Sequence, residues 1–178
     1  MSHRLFVAIK PPPDVIDMLI DTMEGIDNLR WQGEDQLHLT LRFIGEVDTP
    51  QANDIADALG SVRAVKFDLA IRGAGHFERK GRPHTLWAGV APSRALIQLQ
   101  QSIESACRSA GIAPETRVFA PHITLARLSG RAGDIAPFLA QHGALRSEPF
   151  TVERFFLVES TLSAKGAHYD PVVAYGLS

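Results

Sequence analysis

A four-residue motif occurs twice in this chain, as His38-Leu39-Thr40-Leu41 and as His122-Ile123-Thr124-Leu125, with the histidines 84 residues apart in a total of 178. Side chains alternate faces along an extended strand, so each copy presents a histidine beside a threonine and turns its aliphatic residues the other way. The residues around the two copies follow one plan: a helical pattern, the motif strand, a second helical pattern, then a pair of strands. Outside the motifs the halves share little residue identity, so the duplication is read from pattern. Whatever the chain folds into must accommodate two such units.

The elements follow from periodicity and punctuation. Residues 4–9 read as a buried strand closed by Pro11-Pro12-Pro13. Val15, Ile16, Leu19, Ile20 and Met23 recur at helical spacing and predict a helix over 14–28. Residues 37–43 read as a strand with His38, Thr40 and Arg42 on one face, Leu37, Leu39, Leu41 and Phe43 on the other, and Gly45 as its end. Thr49-Pro50 suits an N-cap and first helical residue of a helix to about 59, followed by strands at 67–73 and 85–90. In the second half Pro92-Ser93 opens a helix to about 110, with Leu96, Leu99, Ile103 and Ala106 on one stripe and Gly111 as its stop. The second motif strand covers 122–127, a helix 134–142, and strands 150–152, 155–160 and 169–175.

Composition narrows the function classes. The length fits one domain, or two small lobes sharing a core. A hydrophobic share of 45% and a charged share of 21% are those of a soluble globular protein. No apolar run approaches the roughly 18 residues that span a bilayer, and Met1-Ser2-His3-Arg4-Leu5-Phe6 lacks a signal-peptide pattern. The expectation is a cytoplasmic chain with no membrane partner. The one cysteine, Cys107, permits neither an internal disulfide nor a cysteine-based zinc site. A net charge of −2 argues against a broad footprint on duplex nucleic acid but is compatible with a nucleotide or an RNA end, which needs only a few placed cations.

A single His-x-Thr means little among seven histidines, since a polar strand face accounts for it. Two copies at matched places in a repeated plan point to chemistry. Opening a phosphodiester with water requires a proton taken from the nucleophile and a proton given to the leaving oxygen. Two imidazoles titrating near neutrality do both if one starts neutral and the other protonated. Their titrations couple and yield a bell-shaped rate profile belonging to the pair. The threonine hydroxyls can donate to non-bridging phosphoryl oxygens, where charge builds up. No step calls for a cofactor. Two histidines can also ligate zinc, but no His-Glu-x-x-His and no cysteine pair accompanies them, so the expected chemistry is metal-independent.

The paired motifs resemble those of the two-histidine (2H) phosphoesterase superfamily. The flanking Arg42-Phe43-Ile44-Gly45-Glu46 and Ala126-Arg127 make the chain similar to the bacterial and archaeal RNA 2′,3′-cyclic phosphodiesterases, formerly called 2′-5′ RNA ligases. Arg4-Leu5-Phe6-Val7-Ala8-Ile9, Leu86-Trp87-Ala88-Gly89, Leu157-Val158-Glu159-Ser160 and the Gly166…Tyr169 strand extend the resemblance over nearly the whole length. It implies an α+β fold: a bilobal pseudo-twofold duplication in one domain of two intertwined lobes, residues 1–178, with two antiparallel sheets lining a central cleft and helices outside. It implies hydrolysis of RNA 2′,3′-cyclic phosphate ends to 2′-phosphates, with 2′-5′ joining of RNA as the reverse. It also implies roles: His38 as proton donor to the leaving 3′-oxygen, and His122 as the base that activates water. Residue physics does not distinguish the two. Partners on this reading are RNA ends or small cyclic nucleotides, and the chain is expected to act as a monomer. The alternatives are another cyclic or 2′-5′-linked nucleotide as substrate, or a non-catalytic RNA- or nucleotide-binding module.

Arg127 corresponds to a family arginine that contacts the phosphate. Strict alternation puts it opposite His122 and Thr124, so the strand must end or bulge before it. Arg42 shares the His38 face by parity and suits either an anion or an ion pair with Glu46 or Glu34. The stretch from Phe77 to His84 is the most basic and suits RNA beyond the reacting end, or plain solvation. Phe43, Phe77, Trp87 and Phe119 are candidates to stack a base, although parity buries Phe43. The histidines outside the motifs (His3, His76, His84, His142 and His168) read as structural or exposed, and Cys107 as a small helix residue, buried or half-buried.

Overall fold

The computed structural model describes residues 1–178. Ten strands and four helices run in the order β1 (Ser2–Ile9), α1 (Pro13–Ile20), β2 (Leu29–Trp31), β3 (Leu39–Asp48), α2 (Thr49–Leu59), β4 (Phe67–Leu69), β5 (Ile71–Arg79), β6 (Arg82–Val90), α3 (Arg94–Ser109), β7 (His122–Leu128), α4 (Ala136–His142), β8 (Phe150–Val152), β9 (Arg154–Ser163) and β10 (Gly166–Gly176). The sequence β–α–β–β–β therefore occurs twice, from β3 to β6 and from β7 to β10, as the motif spacing requires. All strand pairs are antiparallel. Strands β10-β9-β1-β3 make the sheet of one lobe and β7-β6-β5 that of the other. The halves exchange strand pairs: β9 of the second pairs with β1, while β6 of the first pairs with β7. A small sheet, β4-β8, also joins the two halves.

The two lobe sheets run into each other at one residue pair, Leu39 with Ile123. Leu39, Leu41, Ile123 and Leu125 turn their side chains into the main core, with Ile55 and Leu59 of α2 and Leu96, Leu99 and Ile103 of α3. A slip of one residue in either motif strand would carry that aliphatic set into the cleft, at about 1.5–3 kcal/mol per side chain. The register is therefore set by the helix side, and the polar face follows. Strand β1 is buried on both faces. Leu5, Val7 and Ile9 join the main core, whereas Phe6 and Ala8 pack with Val158 beneath the cleft.

Two β-bulges redirect the chain just after each His-x-Thr. Thr40 pairs with Ala8 and Arg42 with Val7, so Leu41 is the extra residue in β3. Thr124 pairs with Trp87 and Ala126 with Leu86, so Leu125 is the extra residue in β7. A bulge reverses the alternation beyond it, which overturns two expectations from parity. Arg42 turns toward the helices, 6% exposed, and touches only the far end of the cleft. There its Nε donates to Glu104 of α3 at 2.5 Å, Nη1 to the Phe43 carbonyl and Nη2 to the Ala113 carbonyl. Glu115 lies 3.9 Å away. The ion pair exists, but with Glu104 and Glu115 rather than Glu46 or Glu34, and an anion in the cleft would find this guanidinium already occupied. Phe43, expected in the core, faces the cleft, 38% exposed. A third bulge, at Ile44, carries Gly45 through φ +92°, so β3 continues past the expected stop to Asp48.

Other departures are local. The helix expected over 14–28 ends at Ile20, the Thr22 hydroxyl donating to the Leu19 carbonyl. Beyond it the chain turns through Gly25 (φ +84°) and Asn28 (φ +58°) into β2, a strand too short to show alternation. Residues 67–73 break at Ala70 into two strands of different sheets. Asp48 rather than Thr49 caps α2, accepting from the Gln51 amide, while Ser93 caps α3 as read. Cys107 is buried, and burial pushes its thiol up to about 11.

Arg42 and Glu104 together tie β3 to the irregular segment that leads into β7, since Glu104 also accepts the Glu115 amide. Arg42→Met leaves a mostly buried carboxylate without its partner. Urea unfolding should show a loss of about 3 kcal/mol, and an unchanged midpoint would refute this role.

Candidate active site

The Leu39–Ile123 pair decides where the motif side chains stand. Antiparallel register at this pair sets His38 across from Thr124 and Thr40 across from His122. All four side chains line a cleft of about 690 Å³ on the face away from the helices. Arg127 lines it too, because the Leu125 bulge returns this arginine to the face of His122 and Thr124.

Both imidazoles are held by the same backbone device. Nδ1 of His38 lies 2.7 Å from the Gln36 carbonyl, and Nδ1 of His122 lies 2.6 Å from that of Ala120, in each case the residue two positions earlier. A carbonyl oxygen only accepts, so Nδ1 carries the hydrogen and Nε2 is the nitrogen available for proton transfer. Nε2 of His38 lies 2.9 Å from the Thr40 hydroxyl. Aromatic rings fix the planes: Phe6 stacks on His38 at 4.8 Å and Tyr169 meets it edge-on at 5.2 Å. Phe77 meets His122 edge-on at 4.8 Å.

Enclosure governs the protonation of the pair. Burial pushes His38 down to about 4; the positive charge of Arg127, with His122 and Lys10 behind it, adds to this, and the Gln36 carbonyl opposes it. Burial also lowers His122, with Arg127 again acting in the same direction and the Ala120 carbonyl opposing. A group that hydrogen-bonds anions and a cation that disfavours imidazolium thus converge on one spot. An anion placed there offsets the cation and restores a proton to the pair. No three His, Cys, Asp or Glu side chains come together as a metal-holding group, and no helix is long and apolar enough to cross a membrane.

Several cleft residues carried no signal in the sequence. Gln36 accepts from the Gly33 amide and donates to the Ala167 carbonyl of β10, which anchors the carbonyl that holds His38. Gln32, Phe6 and Tyr169 also line the cleft. The shared spacing of two residues between holding carbonyl and histidine is visible in the sequence only once the device is known. Of the aromatic candidates, Phe43, Phe77 and Phe119 line the cleft, but Trp87 does not. The Trp87 ring instead lies against Gly75, where an added Cβ would stand 2.5 Å from it, and flanks His122 at 6.4 Å. Among the other histidines, His3 bonds Glu159 and Thr49, and His76 bonds Glu78. His84, expected to be structural or exposed, reaches the cleft.

Known proteins share this architecture. A family model for the 2′-5′ RNA ligase superfamily matches residues 12–163. The RNA 2′,3′-cyclic phosphodiesterase of Escherichia coli is 31% identical over 180 residues, covering 99% of this chain and 97% of its own. That of Aeropyrum pernix is 34% identical over 139 residues, 76% and 79% of the two chains. Among solved structures, a phosphoesterase superposes with a TM-score of 0.86 at 28% identity, and E. coli LigT complexed with 3′-AMP with 0.80 at 26%; each comparison covers 100% of this chain and 99% of the other. With the fold shared end to end and the family model spanning most of the sequence, this chain belongs to the 2′-5′ RNA ligase superfamily.

Proposed function

We propose that this chain hydrolyses the 2′,3′-cyclic phosphate of an RNA end or small cyclic nucleotide to a 2′-phosphate, by acid–base catalysis between His38 and His122 and without a metal ion. The observation that carries the reading is the crosswise opposition of the two His-x-Thr units, each imidazole held at Nδ1 so that Nε2 is the working nitrogen. The relatives named RNA 2′,3′-cyclic phosphodiesterase support the choice of substrate.

In this mechanism His122 Nε2 takes a proton from water as the water oxygen bonds to phosphorus. The P–O3′ bond breaks, and His38 Nε2 gives its proton to O3′. The products are a 2′-phosphomonoester and a free 3′-hydroxyl, and the two imidazoles return to their starting states by exchange with solvent. A ribose 5′-hydroxyl in place of water gives a 2′-5′ linkage instead. Thr40, Thr124 and Arg127 hold the non-bridging oxygens as charge develops. His122 suits the base because its Nε2 has no hydrogen-bond partner within the protein, whereas Nε2 of His38 has the Thr40 hydroxyl. Phe43 and Phe119 offer faces for a base.

Purified protein should open 2′,3′-cyclic nucleotides in EDTA, and His38→Ala and His122→Ala should each lose at least ~10²-fold in kcat. Product analysis on 2′,3′-cyclic and 2′-5′-linked substrates settles the substrate. A requirement for added metal, or full activity in either variant, would sink the mechanism, and tight binding with no turnover would indicate a binding module.

The pH profile carries its own expectation. The active form holds one proton between the two imidazoles, so rate falls in acid as the base protonates and in alkali as the acid loses its proton. Both free-enzyme pKa values are lowered, so kcat/KM should peak below pH 6.5, the usual imidazole value. Bound phosphate raises both, so the alkaline limb of kcat should lie at higher pH than that of kcat/KM. Coincident limbs at or above pH 7 would contradict the burial argument.

Arg127→Ala removes a cation that disfavours protonation of both histidines. Its kcat/KM should drop by ~10²-fold while the alkaline limb moves to higher pH. A loss of rate with no shift of the limb would mean that Arg127 is remote from the imidazoles.

A further inference from the structure

Arg30 of β2 and Arg127 of β7 stand directly opposite each other in antiparallel register. They share a face with Gln32, which lines the cleft, while Trp31 between them packs toward Phe138. Like charges directly opposite destabilise a strand pair, and neither guanidinium has a carboxylate within 4.0 Å. Two hairpins bring further cations to the same end of the cleft. Nη1 of Arg30 lies 3.4 Å from where a Cβ of Gly166 would stand, in the β9–β10 turn that also carries Lys165. Nη1 of Arg82, at the start of β6, lies 3.5 Å from the corresponding point at Gly130, just past β7. Lys165 and Arg82 are likewise without carboxylate partners. The opposite end of the cleft differs: Arg42 and Arg117 are neutralised there by Glu104 and Glu115, and Arg4 lies over the Phe43 ring. Arg127 lines this end of the cleft, with Arg30, Lys165 and Arg82 beyond its rim and without carboxylate partners, whereas two of the three arginines at the other end are ion-paired.

We propose that the cationic end seats the RNA chain leading up to the cyclised nucleotide. Arg127 serves the reacting phosphate, and Arg30, with Lys165 and Arg82 beyond it, takes the phosphodiesters of the preceding nucleotides. A polyanionic strand continuous with the reacting phosphate relieves the Arg30–Arg127 repulsion at each step, and long guanidinium stems bind phosphate without reading sequence. The consequence is a preference for oligonucleotides over mononucleotides in a protein whose net charge is −2. This inference rests on the phosphodiesterase reading above.

The test compares kcat/KM for a mononucleoside 2′,3′-cyclic phosphate with that for an oligoribonucleotide ending in the same group, across a salt series. The oligonucleotide should be favoured by about tenfold or more at low salt, and the advantage should decline with a log–log slope of about −0.7 for each phosphate neutralised. Arg30→Gln combined with Lys165→Gln should erase most of that advantage and leave the mononucleotide value within about twofold. Equal, salt-insensitive kcat/KM for both substrates in the wild type overturns the inference, as does a variant that lowers both substrates equally. Fluorescence anisotropy with a 3′-phosphorylated oligonucleotide separates the two readings without turnover. Salt-sensitive binding that the variant loses, with no hydrolysis of any substrate, retains the RNA seat and refutes the phosphodiesterase. Absence of salt-sensitive binding refutes the seat whatever the enzyme hydrolyses.

Discussion

A single antiparallel contact, Leu39 against Ile123, holds the two lobes' sheets together at the site. Both side chains are buried on the helix side, so the pair is anchored by apolar burial rather than by anything in the cleft. Its consequence appears on the opposite face, where His38 and Thr40 of one strand meet Thr124 and His122 of the other. The meeting of the two His-x-Thr units is in this sense a by-product of core packing. The imidazoles are aimed by backbone carbonyls and held by aromatic rings, and none of these supports depends on the ligand.

The bulges at Leu41 and Leu125 then divide labour between two arginines. Each inserts one residue after the motif, and each thereby exchanges which of the next two side chains looks into the cleft. In β3 the exchange sends Arg42 to Glu104 and brings Phe43 to the cleft. In β7 it leaves the small Ala126 in the core and brings Arg127 to the cleft beside His122. The equivalent positions Phe43 and Arg127 therefore give one cleft an apolar flank and a cationic flank. Burial, with Arg127, lowers both histidines, so an anion in the cleft favours their protonation.

Much of this was legible without coordinates. The motif spacing, the aliphatic residues between His and Thr, and the repeated order of elements all survive in the structure because they report local alternation and burial. Arg127 was legible as a contradiction, a residue on the wrong face that demanded a bulge. The matching bulge at Leu41 produced no such contradiction, since Arg42 looked acceptable on the His38 face and Phe43 looked acceptable in the core. Gln36 carried no signal because its function lies in a backbone carbonyl, which any residue could supply. Strand β2 was hidden by its length, and with it the Arg30–Arg127 opposition.

From composition and spacing alone follow the two His-x-Thr strands, their polar and apolar faces, and the chemistry two imidazoles can perform on a phosphodiester. These rest on side-chain identity and on the two-residue period of a strand, which are local properties. The exchange of β5–β6 and β9–β10 between the halves, the crosswise meeting of the motifs, the fate of each arginine and the opposition of Arg30 to Arg127 come from the folded chain. They depend on which edges pair and where a ladder gains a residue, and a pairing register between strands 84 residues apart is not written in either strand.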